Sequence, residues 1–303
     1  DAPSGRSVPM ERGERGTWTL ALPQDLHGTY YTYRVRVLGE WLEAADPYAR
    51  AVSVNGDRSV VVDLRRSNPE GWDTDVKPPL LYATDAIIYE LHVRDFSIHP
   101  ESGMQHKGLF LALTEENPAA PDGTPTGLRH IREPGVTHVQ LLPIFDFSSI
   151  DEREREHAPY NWGYDPKNYN VPDGAYSSDP CDPLARIREL KLAVQTLHRN
   201  GLRVIMDVVY NHVFDVKMSH LGKLVPGYYF RMTGADQFAN GTGVGNDTAS
   251  ERPMMRKLMT DSVVYWAREY HIDGFRFDLM GIHDVDTMRA IRDALDAVDP
   301  SIV

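Results

Sequence analysis

The stretch DGFRFDLMG, residues 273–281, has the apolar alternation of a buried β-strand but carries an arginine and an aspartate. A period of two places Arg276 and Asp278 on one face of this strand and the two phenylalanines on the other. A carboxylate removed from water is costly unless it is paired, and a neighbouring guanidinium favours its ionised form. The stretch therefore indicates a functional carboxylate near the carboxyl end of a strand. An Arg–Asp ion pair without a catalytic role fits the same spacing.

The rest of the sequence places this strand in a parallel sheet. Apolar segments of strand length occur at residues 86–93, 136–144, 202–210 and 273–280. Amphipathic stretches with helical spacing occur within residues 182–199, 255–270 and 285–298. Strands that alternate with helices predict an α/β fold in which helices cover a parallel sheet. Residues 145–181 and 213–250 follow strands and are too long for simple connections, which indicates functional loops at the carboxyl edge.

A different pattern precedes the α/β region. Short alternating segments within residues 17–64 are separated by Gly, Pro, Asn and Asp, which predicts a small antiparallel β-sandwich. The following residues are polar and rich in proline, as in a connection between domains. We therefore predict a partial sandwich at residues 1–68, a linker at residues 69–83 and an α/β domain at residues 84–303.

Composition limits the classes of partner. The 303 residues carry 44 acidic and 32 basic side chains, a formal net charge of −12, so a nucleic-acid partner is not expected. No apolar run approaches the roughly 18–20 residues that span a bilayer, so no membrane partner is expected. The single cysteine, Cys181, provides neither an internal disulfide nor a thiolate metal cluster. The first residues look truncated, and both a cytoplasmic and a secreted location fit the sequence.

Two further clusters of polar residues follow predicted strands. The segment DVVYNH, residues 207–212, places Asp207 and Asn211 on one strand face and His212 where the chain leaves the sheet. These side chains suit binding of a metal or of substrate hydroxyl groups, or ordinary hydrogen bonds at a strand end.

The segment YNWGYDP, residues 160–166, combines three aromatic rings with two polar side chains in the first of the long loops. Trp162, Tyr164 and Asp165 in this arrangement suit a sugar, which has apolar faces and a belt of hydroxyl groups. An aromatic turn that only anchors the loop also fits, because the segment contains a glycine and a proline.

Together these three segments resemble signatures of the α-amylase superfamily of retaining glycoside hydrolases, and more closely those of its type I pullulanase branch. The resemblance covers about residues 84–303 and implies the first half of a (β/α)8 TIM barrel. The preceding sandwich looks like a truncated family 48 carbohydrate-binding module. The resemblance implies a hydrolase for α-1,6 linkages in pullulan, limit dextrins or amylopectin, with an α-glucan as its partner.

The resemblance also implies roles for individual residues. Asp278 matches the nucleophile, and Arg276 matches the arginine that orients it. The remaining matches are substrate-binding residues, namely His212, Tyr164, Trp162, Asn211, Asp165 and Met280. Asp207 matches a structural aspartate at the site.

A retaining glycosidase needs a second carboxyl group about 5 Å from the nucleophile. The resemblance places this glutamate beyond Val303, so we expect the fragment alone to be inactive. No cofactor is required, and calcium near Asn211 is a candidate. Alternatives are isoamylase, glycogen debranching or branching enzymes of the same superfamily, or a glucan-binding fragment without catalysis.

Overall fold

The computed structural model describes residues 5–154, 159–235 and 237–303. Its N-terminal part contains six short strands, which are β1 (Glu11–Arg12), β2 (Trp18–Thr19), β3 (Tyr30–Tyr31), β4 (Tyr33–Val37), β5 (Glu40–Ala44) and β6 (Ser59–Val60). They pair antiparallel as β1 with β2, β3 with β6 and β4 with β5. Within the described residues these ladders are separate two-stranded sheets. The predicted antiparallel pairing is therefore confirmed, but two broad facing sheets are not seen.

The β4–β5 hairpin contains the strand that the sequence pattern did not reveal. Leu38 and Gly39 form its turn with φ values of 49° and 92°, a conformation that favours glycine. Arg36 pairs with Trp41 across the hairpin, and the Arg34 guanidinium lies 5.3 Å from the centre of the Trp41 ring. The two glutamates of β5 hide its alternation, so tertiary pairing rather than local composition forms this strand.

The α/β part follows. Its elements are β7 (Ile88–Leu91), α1 (Val93–Ser97), α2 (Gly127–Arg132), β8 (His138–Leu141), β9 (Phe145–Phe147), β10 (Pro166–Pro172), α3 (Ala185–Arg199), β11 (Arg203–Val208), α4 (His220–Leu224), β12 (Met232–Gly234), β13 (Gln237–Phe238), α5 (Pro253–Glu269), β14 (Gly274–Phe277) and α6 (Val285–Asp296). All four predicted strands are present and shorter than predicted. The three predicted helices correspond to α3, α5 and α6. No described helix is long and apolar enough to cross a membrane.

The central sheet has the order β7–β8–β11–β14, and each neighbouring pair is parallel. Every residue of β8 and β11 is buried, so their polar side chains, which are His138, Gln140, Arg203 and Asp207, are enclosed together with the apolar ones. Residues of α3 and α5, such as Leu190, Val194 and Trp266, join the same core. The carboxyl ends of the four strands lie along one edge of the sheet, which brings residues from distant segments together.

The two long loops contain structure of their own. β9 pairs antiparallel with β10 within residues 145–181, and β12 pairs antiparallel with β13 within residues 213–250. The chain thus builds two small ladders that project from the edge where the central strands end.

The predicted linker is packed against the α/β part. Trp72 is buried and stacks on His271 with a ring separation of 4.1 Å. Asp75 accepts hydrogen bonds from His198 at 2.7 Å and from His271 at 2.8 Å. Burial alone would raise the pKa of Asp75, but the two imidazoles outweigh it and hold this pKa far below its usual value. The segment is therefore fixed by a stacked ring and a buried charge cluster.

Candidate active site

The candidate site lies where β11 and β14 end. Asp207 and Arg276 are register partners on these two strands. The Nη1 atom of Arg276 lies 3.0 and 3.1 Å from the two carboxylate oxygens of Asp207 and 3.0 Å from Oδ1 of Asp278. One guanidinium nitrogen thus joins the two aspartates that were predicted from separate sequence motifs.

Asp278 directly follows β14 and is oriented by Asn211. The amide nitrogen of Asn211 donates to the backbone oxygen of Asp278 at 2.7 Å and to its Oδ2 atom at 2.8 Å. The next residue, Leu279, has φ 42° and turns the chain away from the strand. Both oxygens of the Asp278 carboxylate therefore have a donor, while 16% of the side chain stays exposed. This is a fixed and accessible carboxylate.

The most deeply buried acid of the site is Asp207 rather than Asp278. The Asp207 side chain is fully buried, whereas the Arg276 side chain is 41% exposed. Our expectation of a buried strand is therefore wrong at Arg276 and in the turn at residues 279–281, which is also exposed. The phenylalanine face packs against the hydrophobic core, whereas the face with Arg276 is open among the described residues. The desolvation that we assigned to the Asp278 carboxylate falls mainly on Asp207.

Tyr164 supports the ion pair between Arg276 and Asp207. Its hydroxyl group donates to Oδ2 of Asp207 at 2.7 Å. Burial raises the pKa of Asp207 to about 6, although the hydrogen bonds from Tyr164 and Arg276 oppose the rise. Burial, together with Asp207, also raises the pKa of Tyr164, which keeps the phenol protonated as a donor. Because Asp207 is enclosed and doubly bonded, it is suited to hold Arg276 in place rather than to touch a substrate.

His212 lies between Tyr164 and Asn211. Its Nε2 atom is 2.7 Å from the backbone oxygen of Tyr164, and its Nδ1 atom contacts Oδ1 of Asn211. Burial lowers the pKa of His212, which favours the neutral ring. Both nitrogens face acceptor oxygens, so the neutral ring satisfies only one of them. His212 thus links the aromatic loop to Asn211 and, through it, to Asp278.

The aromatic loop exposes two of its three predicted rings. Tyr160 and Trp162 are 50% and 59% exposed, and their rings meet edge to face at 6.2 Å. Met280 is also exposed, in the short turn after Asp278. Tyr160 and Trp162 thus expose apolar surface on the loop that also carries Tyr164, and Met280 exposes it two residues after Asp278.

Asp165 has a local task in the same loop. Its Oδ1 atom accepts from the amide of Asn161 at 2.8 Å, and its Oδ2 atom accepts from the backbone nitrogen of Ser149 at 2.8 Å. The side chain of Ser149 also contacts Oδ2. The carboxylate is therefore occupied by loop hydrogen bonds, and its predicted contact with substrate would compete with them.

Sequence reasoning missed the residues that support this loop from β7. The His92 Nε2 atom lies 3.0 Å from the backbone oxygen of Asn161 and 2.9 Å from the Tyr176 hydroxyl. Asp95 accepts a hydrogen bond from the hydroxyl of Tyr160 at 2.6 Å. The available signal was a histidine at the end of a predicted strand, which was the same signal that indicated His212.

Both polar atoms of the Asn211 amide have partners within the protein. The Asn211 amide nitrogen is bonded to Asp278 and its oxygen contacts His212. In the described part of the chain, a single group of three acidic side chains has ligand atoms within 4.8 Å of one another, and it lies elsewhere, around Arg186. Calcium near Asn211 therefore stays a prediction.

Comparison with known proteins defines the class to which this arrangement corresponds. Residues 1–49 match the family carbohydrate-binding module 48 (isoamylase N-terminal domain). The chain thus combines an N-terminal segment that is similar to this module with an α/β part that carries a carboxylate site.

Pullulanases from several organisms are similar to almost the whole chain. The pullulanase of Bacillus subtilis (strain 168) is 48% identical over 300 residues, which is 99% of this chain and 41% of that protein. Pullulanase 1 of Arabidopsis thaliana, a chloroplast protein, is 36% identical over 97% of this chain and 35% of its own length. The crystal structure of the Paenibacillus barengoltzii pullulanase in complex with maltohexaose and α-cyclodextrin is 59% identical, with a TM-score of 0.98 over 100% of this chain and 47% of that one.

The chain is homologous to pullulanases over almost its whole length, which confirms the resemblance predicted from its motifs. It spans less than half the length of the relatives it matches.

Proposed function

We propose that this chain carries the glucan-binding module and the nucleophile side of the active site of an enzyme that hydrolyses α-1,6 branch linkages in pullulan, limit dextrins or amylopectin. The observation that carries the proposal is the junction at Arg276, which holds Asp278 and Asp207 at the ends of adjacent parallel strands. This junction occurs in a chain that is homologous to pullulanases.

We propose that the four parallel strands are the first half of a (β/α)8 barrel. Their spatial order follows their order in the chain, as in a barrel that closes strand by strand. Val303 extends this pattern, because it donates to the backbone oxygen of Asp273 and accepts from the backbone nitrogen of Phe275, both at 3.0 Å. The site also lies at the carboxyl ends of the strands, where TIM barrels carry their chemistry.

The proposed reaction is a double displacement with retention. An oxygen of Asp278 attacks the anomeric carbon as the bond to the leaving oxygen breaks, and a carboxylic acid gives that oxygen a proton. The resulting carboxylate then takes a proton from water, whose oxygen attacks the same carbon and releases Asp278. Arg276 and Asn211 fix the nucleophile before the substrate binds, which reduces the cost of positioning it.

Asp207 does not suit the role of the acid. Its side chain is fully buried, and its oxygens are bonded to Arg276 and Tyr164. We therefore propose that the acid is a glutamate from another part of the parent enzyme and that the 303 residues alone do not turn over substrate.

We propose that Trp162 and Met280 contact the glucan through their exposed apolar surfaces and that His212 and Tyr164 line the sugar site next to Asp278. The support is the exposure of Trp162 and Met280, the bond from Tyr164 to Asp207, and the contact of His212 with Asn211, which in turn bonds Asp278. The Paenibacillus barengoltzii protein was crystallised with maltohexaose and α-cyclodextrin, which supports an α-glucan as ligand. Asp165 is proposed to shape the loop that presents these side chains.

The test is hydrolysis by the full-length enzyme. We expect reducing sugar to be released from pullulan by the wild type and by Asp286→Asn, a control on the exposed surface of α6. We expect Asp278→Asn to lose this activity while it keeps the melting temperature of the control within a few degrees. Activity on glycogen without activity on pullulan would instead indicate an isoamylase. Wild-type activity retained by Asp278→Asn would overturn the proposed mechanism.

A second candidate function, glucan binding without catalysis, is favoured by the match of residues 1–49 to a carbohydrate-binding module. Isothermal titration of the full-length protein with α-cyclodextrin, together with the pullulan assay, separates the two functions. Binding without release of reducing sugar from any branched glucan would support the second candidate.

A further inference from the structure

A second charged cluster lies outside the proposed active site, between β9, β10 and α3. It contains three acids, Asp146 on β9, Glu152 in the turn that follows and Asp173 after β10, and one cation, Arg186 on α3. At least 98% of each of these four residues is inaccessible to solvent. Isolated buried charges are very costly, so a cluster of this kind requires a compensating partner for each group.

The guanidinium of Arg186 lies at the centre of a set of oxygen atoms. Its Nη1 and Nη2 atoms donate to the two oxygens of Glu152 at 3.0 and 2.7 Å. They also donate to the backbone oxygens of Pro172 at 3.3 Å and Pro180 at 3.1 Å. Oδ1 of Asp146 is 3.7 Å from Nη1. Carboxylate and backbone oxygens that converge on one point form the type of ligand set that divalent cations such as calcium use.

The backbone builds this set rigidly. Glu152 accepts from the backbone nitrogens of Asn55 at 2.8 Å and Gly174 at 2.9 Å. Asp173 accepts from the backbone nitrogens of Phe147 at 3.0 Å and Ala175 at 2.7 Å. A side chain at Gly174 would place its Cβ atom 2.3 Å from Arg186 and 2.4 Å from Glu152, so only glycine fits there.

One guanidinium does not match three acids. Asp146 shows the imbalance most clearly, because its Oδ1 atom has no hydrogen-bond partner although the residue is fully buried. Burial and the charge of Glu152 raise the pKa of Asp146 to about 7, and the same causes raise the pKa of Asp173 well above its usual value. The cluster thus resembles a site for a cation of higher charge that a singly charged side chain has filled.

We propose that this cluster is a cation site that the chain fills with its own guanidinium. Arg186 takes the position that a divalent cation would occupy and joins the β9–β10 ladder, α3 and the N-terminal segment around Asn55. The wild-type protein therefore needs no metal at this place. Removal of the guanidinium should leave an oxygen cage that binds Ca²⁺. This inference is independent of the proposed glycosidase function.

The test uses the full-length protein and Ca²⁺ alone as the probe. Melting temperatures of Arg186→Ala and of a control, Arg188→Ala at an exposed position of the same helix, are measured after treatment with EDTA and again in millimolar CaCl2. We expect Arg186→Ala to melt well below the control without metal and to regain several degrees or more with Ca²⁺. The melting temperature of Arg188→Ala should change with Ca²⁺ only as much as that of the wild type, since any calcium sites elsewhere in the full-length protein affect all variants equally.

Two further measurements keep the proposal falsifiable. If Arg186→Ala is recovered only when Ca²⁺ is present during refolding, the proposal is supported, and failure to fold with Ca²⁺ counts against it. The variant Arg186→Gln, which preserves more of the side-chain volume, is tested in the same way. Equal calcium responses of Arg186→Ala, Arg186→Gln and Arg188→Ala would overturn the proposal. So would a calcium-dependent stabilisation of the wild type that Asp146→Asn abolishes.

Discussion

Replacement of His198 by glutamine should remove a defined, pH-dependent part of the stability of this protein. His198 lies on α3 and is buried between two carboxylates, Asp75 at 2.7 Å and Asp273 at 2.9 Å. Burial alone would lower the pKa of His198. The hydrogen bonds and charges of the two aspartates outweigh it and raise this pKa from 6.5 to about 9. The ring is therefore a buried imidazolium that fixes the segment around Asp75 to the start of β14.

The magnitude follows from the pKa. A pKa difference of one between the folded and unfolded states corresponds to about 1.4 kcal/mol. A pKa of His198 raised from 6.5 to about 9 therefore contributes about 3 kcal/mol to the free energy of unfolding. Because the pKa is raised in the folded state, this contribution is complete below pH 6.5 and is lost as the pH rises through about 9. Wild type and His198→Gln should thus differ most in slightly acidic solution and converge in alkaline solution.

The assay is equilibrium urea unfolding of the full-length protein at constant ionic strength, between about pH 6 and about pH 9.5. The difference in unfolding free energy between wild type and His198→Gln should shrink by about 3 kcal/mol over this range. His130→Gln, at an exposed position on α2, controls for the loss of a histidine and should parallel the wild type. A difference that does not change with pH would show that His198 is not a buried imidazolium.

Three further predictions concern the proposed active site of the full-length enzyme. Arg276→Leu leaves Asp207 without its cation and Asp278 without a fixed donor. The kcat on pullulan should therefore fall by about 10²-fold or more. A kcat near that of the wild type would contradict the role assigned to Arg276. Tyr164→Phe removes the 2.7 Å bond to Asp207 and should lower the unfolding free energy in urea by about 2 kcal/mol, whereas an unchanged value would show that this bond is not stabilising. Trp162→Ala removes an exposed ring and should raise KM for pullulan about tenfold, while kcat stays within about twofold of the wild-type value. A fall in kcat without a rise in KM would contradict a role in binding alone.

The sequence predicted most of the regular structure of the α/β part. Four strands and three helices were readable because their apolar residues repeat with a period of two or of about 3.6. The short β5 strand, EWLEA, was missed because its two glutamates hide the alternation and cross-strand partners stabilise it. The β9–β10 ladder was also missed. The register between its two strands shifts twice, so the sequence shows no simple alternation of apolar and polar residues there.

The sequence predicted which residues belong to the proposed active site, but not which of them are buried and which are exposed. The motifs placed Asp207, Arg276 and Asp278 at strand ends, and the structure brings all three together. The sequence did not show that Asp207 is the enclosed acid and that Arg276 is exposed, because burial depends on which elements cover each face. Nor did it indicate the Arg186 cluster, whose acids belong to segments that only the folded chain brings into contact.

If Asp278 is the nucleophile, it forms a covalent bond with the sugar, and covalent trapping detects this bond. A fluorinated α-glucosyl fluoride that slows the second step is incubated with the full-length enzyme, which is then digested and mapped by mass spectrometry. We expect one added fluorinated glucosyl group on the peptide that contains Asp278, and none in Asp278→Asn. A label on a different carboxylate would mean that Asp278 is not the nucleophile.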